Sequence, residues 1–239
     1  MREFLLYVCA PNGKCGIELT ASNRRYDLAV NDFTGSNEAP ECCEYRYSDD
    51  VWKFRHVHQK LAGVADKYKA VAVWDDDVEA SPETLNRLFE IGLECGLDAW
   101  QPALTRDSVC AWWHLFEKRY STWRHTSLLD LMCPFFSQNG LAKVWDTFDE
   151  SDSGWGIEQL WTQRLGDDRQ GVIDAYPIEQ LWTQRLGDDR QGVIDAYPIR
   201  HVRPLRNHNG KLMPSGMTPL QEAELLFKKY SIIPHRNVY

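Results

Sequence analysis

The sequence predicts one α/β domain in which helices flank a mostly parallel central sheet, and three observations lead there. Short apolar runs recur along the 239 residues, each ending in a turn or an acid. Between them lie stretches whose apolar residues recur at three- and four-residue steps, the helical period. With 43% hydrophobic and 12% aromatic residues, the chain can bury a full core.

The elements follow in order. Residues 4–10 read as a first strand ending in Pro11-Asn12-Gly13, and 26–33 as a second ending at Asn31-Asp32. A helix is expected over 51–67, where Phe54, Val57, Leu61 and Val64 form one stripe. Residues 71–74 form a strand that runs directly into Asp75-Asp76-Asp77. Ser81 caps the next helix with Pro82 at its first position, Leu85, Leu88, Phe89 and Leu93 face inward, and Gly96 stops it. Residues 98–104 return to strand, 110–136 mix strand and loop, and 137–148 read as helix. A terminal helix over 218–230 is expected to bury Leu220, Leu225, Leu226 and Phe227.

A 21-residue segment, IEQLWTQRLGDDRQGVIDAYP, occurs twice without a difference, at 157–177 and 178–198. Solenoid repeats diverge and need several copies to bury a core, so a tandem duplication inside one domain fits better. Each copy carries a helix, a Gly-Asp-Asp turn and a strand. The first follows Gly154-Trp155-Gly156 and the second precedes Arg200-His201. The fold needs one helix and one strand, and the expectation is that helix 157–165 and strand 192–199 supply them, with 205–239 as a C-terminal tail and helix.

A net charge of −8 argues against a general nucleic-acid binder, which would carry a basic face. Seven scattered cysteines without a CxxC pair suggest neither a zinc site nor a disulfide framework. The first apolar stretch is too short for a signal peptide and no membrane span follows, so a cytoplasmic location is expected.

The chemistry concentrates behind the 71–74 strand. Acids at the C-terminal end of a buried strand lie where α/β sheets place their ligands. Asp75 and Asp77, two residues apart, can turn toward one hard cation while Asp76 points elsewhere. Such carboxylates suit a divalent ion that neutralises phosphate oxygens, unless a positive side chain compensates them. Two glycines around Trp155 allow close backbone approach beside an aromatic face, and Glu158 could take a proton from a hydroxyl. The alternative for Glu158 is an acid favoured in a first helical turn by the helix dipole.

Trp74-Asp-Asp-Asp-Val78 resembles the DxD box of GT-A glycosyltransferases. Asp98-Ala-Trp-Gln-Pro-Ala-Leu104, Cys133-Pro-Phe-Phe-Ser137, Gly154-Trp-Gly-Ile-Glu158, Gly192-Val-Ile-Asp195 and His201 continue the likeness in order. More narrowly, the series resembles a GT-A-like family of unknown function from plants and bacteria with a WDxD box, and Lys53 and His58 fit the helix before that box. The resemblance covers residues 1–205 and implies a single GT-A-like (Rossmann-like) domain over 1–239. It implies a transferase that takes a sugar from a UDP- or GDP-linked donor to a glycan or small-molecule acceptor, with Mn²⁺ or Mg²⁺. In that reading Asp75, Asp77 and His201 hold the metal, and Glu158 is the catalytic base. Ala10, Pro11 and Asp32, with Asp75, face the nucleotide, and Trp112, Trp113 and Trp123 line an acceptor groove. Two other readings stand beside it: a nucleotide- or sugar-binding module of the same fold without turnover, and a metal-dependent phosphotransferase. The last is the weaker, because Glu79 occupies the place where a haloacid-dehalogenase-type site wants Thr or Val.

Overall fold

The computed structural model describes residues 1–108, 112–118, 121–174, 200–201 and 211–232. Its strands are β1 (Phe4–Cys9), β2 (Tyr26–Asn31), β3 (Tyr45–Tyr47), β4 (Ala70–Trp74), β5 (Val78–Glu79), β6 (Ala99–Pro102), β7 (Trp123–His125), β8 (Phe135–Ser137), β9 (Gln170–Ile173) and β10 (Arg200–His201). The helices are α1 (Lys53–Leu61), α2 (Pro82–Glu94), α3 (Gln138–Val144), α4 (Ile157–Leu165) and α5 (Pro219–Lys229).

Among the described residues the central sheet has eight strands in the order β3-β2-β1-β4-β8-β6-β9-β7. The first four run parallel, as do β6 and β9, while β8 and the edge strand β7 run antiparallel to their neighbours. Successive side chains of β1 point to opposite faces. Phe4, Leu6 and Val8 meet Leu85, Leu88 and Phe89 of α2 on one face. Leu5, Tyr7 and Cys9 share the other face with residues of α1, α3, α4 and α5. Strands β1, β2 and β4 are buried on both faces, which is why they read as largely apolar runs.

The expected helices form with identifiable caps. Ser81 accepts the Thr84 N–H, Ser137 that of Gly140, and Thr218 with Gln221 makes a reciprocal capping box. The helix expected over 51–67 is shorter, because Ala62 leaves helical geometry and Gly63 turns left-handed (φ +71°). Leu225 is 52% exposed instead of buried. The helix is turned so that Glu222, Ala223 and Leu226 face inward, since Glu222 accepts hydrogen bonds from Ser151, Ser153 and Ser215.

The repeat departs from expectation. The sheet position between β6 and β7 is held by Gln170–Ile173 of the first copy, while the expected strand at 192–199 lies outside the described residues. Only residues 166–169 separate α4 from β9, whereas the equivalent strand of the second copy would need a link of 25 residues (166–190). Closing the longer link costs about 1.6 kcal/mol more by loop entropy alone. The identical interior residues of the second copy offer nothing to offset that. The first copy is also bolted down through its turn: Arg169 donates to Asp98 Oδ1 at 2.7 Å, and the Asp98 N–H donates to the Arg169 carbonyl at 2.9 Å. Asp98 is buried at the head of β6, where Lys143 and Asn139 of α3 also reach it. Burial works against its charge, but these donors outweigh it and hold the carboxyl down to about 2.

Deleting 178–198 gives the same protein as deleting 157–177, because the copies are identical. The single-copy chain keeps α4, the turn and β9, so its near-UV circular dichroism should be unchanged and its thermal midpoint equal or higher. A midpoint lowered by more than ~5 °C, roughly 1–2 kcal/mol at this length, would show that the second copy contributes to the core.

Candidate functional site

The acid box is built by its own sequence. Trp74 is buried at the end of β4, and its indole N–H donates to the Val78 carbonyl at 3.0 Å, closing the turn that carries the three acids. The Asp75 N–H donates to the Met132 carbonyl and the Asp76 carbonyl accepts from Gly16, both at 2.8 Å. The box is thereby clamped between the loop after β1 and the segment before β8, at the C-terminal edge of the parallel strands.

Lys53, the first residue of α1, brings a positive charge to this edge. Its Nζ lies 2.6 Å from Asp75 Oδ1, donates to the Leu131 carbonyl, and sits 4.9 Å from the centre of the Phe54 ring. Burial pushes the Asp75 carboxyl up to about 6 against the pull of Lys53, and the charges of Asp77 and Asp76 add to the rise. The side chain keeps 36% of its exposure, so it opens to the cleft and solvent moderates that push. Cys9, at the end of β1, feels the same negative field: burial first, then Asp75, raises its thiol to about 12.

Glu158 is the second residue of α4. Gly154 and Gly156 both have positive φ (+80° and +89°), a conformation that turns the chain sharply into the helix. A Cβ on Gly156 would lie 3.0 Å from Ala223 Cα, so α5 packs directly on this turn. Glu222 of α5 fixes the approach as well, through its bonds to the Ser153 N–H and hydroxyl and the Ser151 hydroxyl. Glu158 is only 9% exposed, and burial raises its carboxyl to about 8, helped by the charge of Asp130 and opposed by its hydrogen bonds to backbone N–H groups. One of these is the Gly156 N–H, 2.9 Å from Oε2. Glu158 thus accepts a hydrogen bond at the start of its own helix, and burial raises its carboxyl.

Asp130 and Leu131 join the two halves. The Leu131 carbonyl holds Lys53, its side chain lies beside Gly154, and the neighbouring Asp130 opposes ionisation of Glu158. Asp130 carried no signal in the sequence, since it sits in a loop without a motif. Its place is fixed through space: its N–H donates to Gln101 Oε1, and Oδ1 accepts the Met132 N–H.

The residues expected from the sequence to face a nucleotide lie at the ends of β1 and β2. Ala10 is buried and its N–H donates to the Asn31 carbonyl, while Pro11 is half-buried at the start of the following turn. Asp32 is buried beside them, with both carboxylate oxygens engaged by loop groups. Oδ1 accepts from the Asn12 N–H and from Thr34, and Oδ2 from Ser36 and the Glu38 N–H. Burial opposes its charge, yet these donors hold the carboxyl well below the usual range. Asp32 thus shapes the rim of the cleft by organising two loops.

The expected third ligand is placed only through its backbone. His201 pairs antiparallel with Val78, immediately after the acid box, and its side chain lies outside the described residues. Among the described residues no three His, Cys, Asp or Glu converge as a metal cage. The donor set nevertheless fits a cation: an ammonium already occupies Asp75, and Asp77 and Asp76 are close enough to raise that carboxyl. Of the three tryptophans, Trp112 and Trp123 pack partly against the core, whereas Trp113 is 67% exposed. Trp113 lines an open cavity of about 310 Å³ with Arg106, Phe116, Glu117 and Lys118. The His58 ring lies tilted beside that of Trp145, with centres 5.5 Å apart. Among the described residues no helix is long and apolar enough to cross a membrane.

Gly156→Ala should test the turn. A left-handed conformation costs a non-glycine residue roughly 1–2 kcal/mol, and the added methyl also presses on Ala223. Urea unfolding should show a loss of about 2 kcal/mol or more, whereas Gly63→Ala, with open space at its Cβ, should lose only the conformational part.

No family model matches the chain, and no curated protein matches it. Among solved structures, it is similar to S. aureus TarS 1–349 at 13% identity and a TM-score of 0.47, covering 72% of this chain and 58% of that one. It is also similar to S. aureus TarS 1–349 in complex with UDP-GlcNAc, at 14% identity and a TM-score of 0.42, covering 80% of this chain and 60% of that one. The chain thus spans less than two thirds of the length of these solved proteins.

Proposed function

We propose that this chain is a nucleotide-sugar-dependent glycosyltransferase, with the donor diphosphate over the C-terminal edge of β1, β2 and β4 and the acceptor beside Glu158. The reading is supported by the acid box, whose Asp75 binds an ammonium, lying beside a buried carboxylate raised to about 8, the two joined through Lys53, Leu131 and Gly154. Asp75 and Asp77 would hold a divalent ion, with His201 following the box by its pairing to Val78. When bound, that ion supplies positive charge for the leaving diphosphate. Glu158 accepts the proton of the acceptor hydroxyl as its oxygen bonds to the sugar's anomeric carbon. The bond from that carbon to the diphosphate breaks, and its electron pair leaves with the phosphate oxygen. Asp130 strengthens Glu158 as a base by opposing its ionisation. Trp155, half-buried between the two glycines, offers the acceptor a ring face.

One observation favours a binding module instead: Glu158 already spends Oε2 on its own helix N-terminus. Calorimetry with UDP and GDP, with and without Mn²⁺, together with an assay for slow hydrolysis of UDP- and GDP-sugars, separates the readings. Metal-enhanced nucleotide binding with hydrolysis supports the transferase, and binding without hydrolysis supports the module. Absence of nucleotide binding with metal present would remove both.

Glu158→Gln should lower turnover by at least ~100-fold, the ordinary contribution of a general base. Glu179→Gln should leave it unchanged, because Glu179 follows Tyr-Pro-Ile instead of Gly-Trp-Gly-Ile. Turnover of the unaltered chain should rise with pH and level off above about 8, where Glu158 is ionised. Stability should run the other way. The folded pKa lies above the unfolded value of about 4.3, so the folded state keeps the proton longer and loses stability as pH rises from there to about 8. Glu158→Gln should therefore raise the thermal midpoint relative to the unaltered chain more at pH 8.5 than at pH 5.

A further inference from the structure

Lys53 is the group that the proposed function leaves without a task. Its ammonium is bound on two sides, by Asp75 Oδ1 at 2.6 Å and by the Leu131 carbonyl, and its side chain is only 12% exposed. It is the first residue of a helix whose next residue, Phe54, is buried in the core. We infer that Lys53 is a resident cation that competes with the divalent ion for Asp75 and is handed to the donor diphosphate when that ion binds. The inference rests on the proposed metal role of the box.

The argument is one of charge and space. An oxygen-bound divalent ion sits roughly 2.0–2.6 Å from its carboxylate. With an ammonium 2.6 Å from the same Oδ1, the two cations would stand within a few ångströms of each other and repel. Asp75 therefore serves one of them at a time. Without any cation, three consecutive carboxylates at the end of a buried strand would repel each other, so Lys53 keeps the empty box folded. Once displaced, Lys53 remains tethered by the Leu131 carbonyl at the cleft. An ammonium there, released from its carboxylate, is a donor for phosphate oxygens. Lys53 acts in this scheme as a positioning residue for the empty box and a binding residue for the filled one.

The experiment is a Mn²⁺ titration of the full chain without nucleotide, followed by calorimetry or by the loss of the free-ion electron paramagnetic signal. Lys53→Met keeps the aliphatic stem and removes the charge. It should bind Mn²⁺ about tenfold tighter, the factor that ~1.4 kcal/mol of removed competition corresponds to. Lys53→Arg should restore the weaker binding. In an Asp75→Asn background the Lys53→Met change should have a clearly smaller effect on Mn²⁺ affinity, because the ammonium is no longer held at the shared oxygen. Unchanged or weaker Mn²⁺ binding by a folded Lys53→Met chain would overturn the inference, as would an equal effect in the Asp75→Asn background. Absence of Mn²⁺ binding in every variant would overturn it too. UDP calorimetry at saturating Mn²⁺ reports separately on the glycosyl-transfer reading: UDP binding that survives while the Lys53 effect fails sinks only the competition.

Discussion

The two halves of the cleft are held together by one aromatic cluster. Phe54 of α1 meets Phe148 and Trp161 edge-on, with ring centres 5.1 and 5.4 Å apart, and Phe136 of β8 meets Trp161 at 5.1 Å. Such pairs contribute about 0.5–1.5 kcal/mol each beyond the area they bury. Their larger effect here is positional. Phe54 is adjacent to Lys53, and Trp161 lies one turn after Glu158, so a single packed cluster sets the spacing between these two side chains. The Trp161 indole N–H is satisfied by the Thr147 hydroxyl at 2.9 Å, which lets so large a residue lie fully buried.

The buried acids divide by what surrounds them. Asp98, Asp32 and Glu222 are saturated with donors, and their carboxyls are held below the usual range in spite of burial. They bolt elements together: β6 to α3 and the turn before β9, the two rim loops, and α5 to the Ser151–Gly154 approach. Asp75 and Glu158 are raised instead, because burial and neighbouring carboxylates outweigh their few donors. A raised carboxyl alone does not mark a site, however. Asp174 is raised to about 6 by burial while paired at 2.9 Å with Arg124. That pair fastens the β7 segment to the end of β9. Donor count alone therefore separates the lowered carboxyls from the raised ones and assigns neither a role.

Much of the fold could be read in the sequence, for physical reasons. Apolar runs such as Phe4–Cys9 and Ala70–Trp74 lie inside a parallel sheet, where both faces are buried, and Ser81-Pro82 and Thr218-Pro219 carry their caps locally. What escaped was non-local. The short strands Tyr45–Tyr47 and Val78–Glu79 exist because a neighbour offers a hydrogen-bonding edge, and neither has a pattern of its own. The inward turn of Glu222 depends on serines about 70 residues away. In the site, Asp75 and Glu158 stood out through their local context, Trp-Asp-Asp-Asp and Gly-Trp-Gly-Ile-Glu. Asp130 did not, because its position follows from Gln101 and Met132. Lys53 was visible as a residue near the box, but its bond to Asp75 was not, since spacing along a helix start says nothing about which oxygen a flexible ammonium finds.

The repeat shows how far local context can choose between identical sequences. Residues 157–177 and 178–198 share every interior side chain, so packing against Phe136 or pairing with Ala99 cannot prefer one over the other. The flanks can. Gly156 precedes the first copy and adopts φ +89° with Ala223 pressed against it; Pro177 precedes the second. Proline holds φ near −65° and has no N–H, so it can neither make that turn nor donate to the following glutamate as Gly156 does to Glu158. The helix slot is therefore specific for the first copy at its N-terminal end. At the strand end the preference rests on the short link from α4, a difference of about 1.6 kcal/mol, or roughly fifteenfold in population. The acid that faces the cleft is thus chosen by backbone conformation, and the strand beside β6 by chain length.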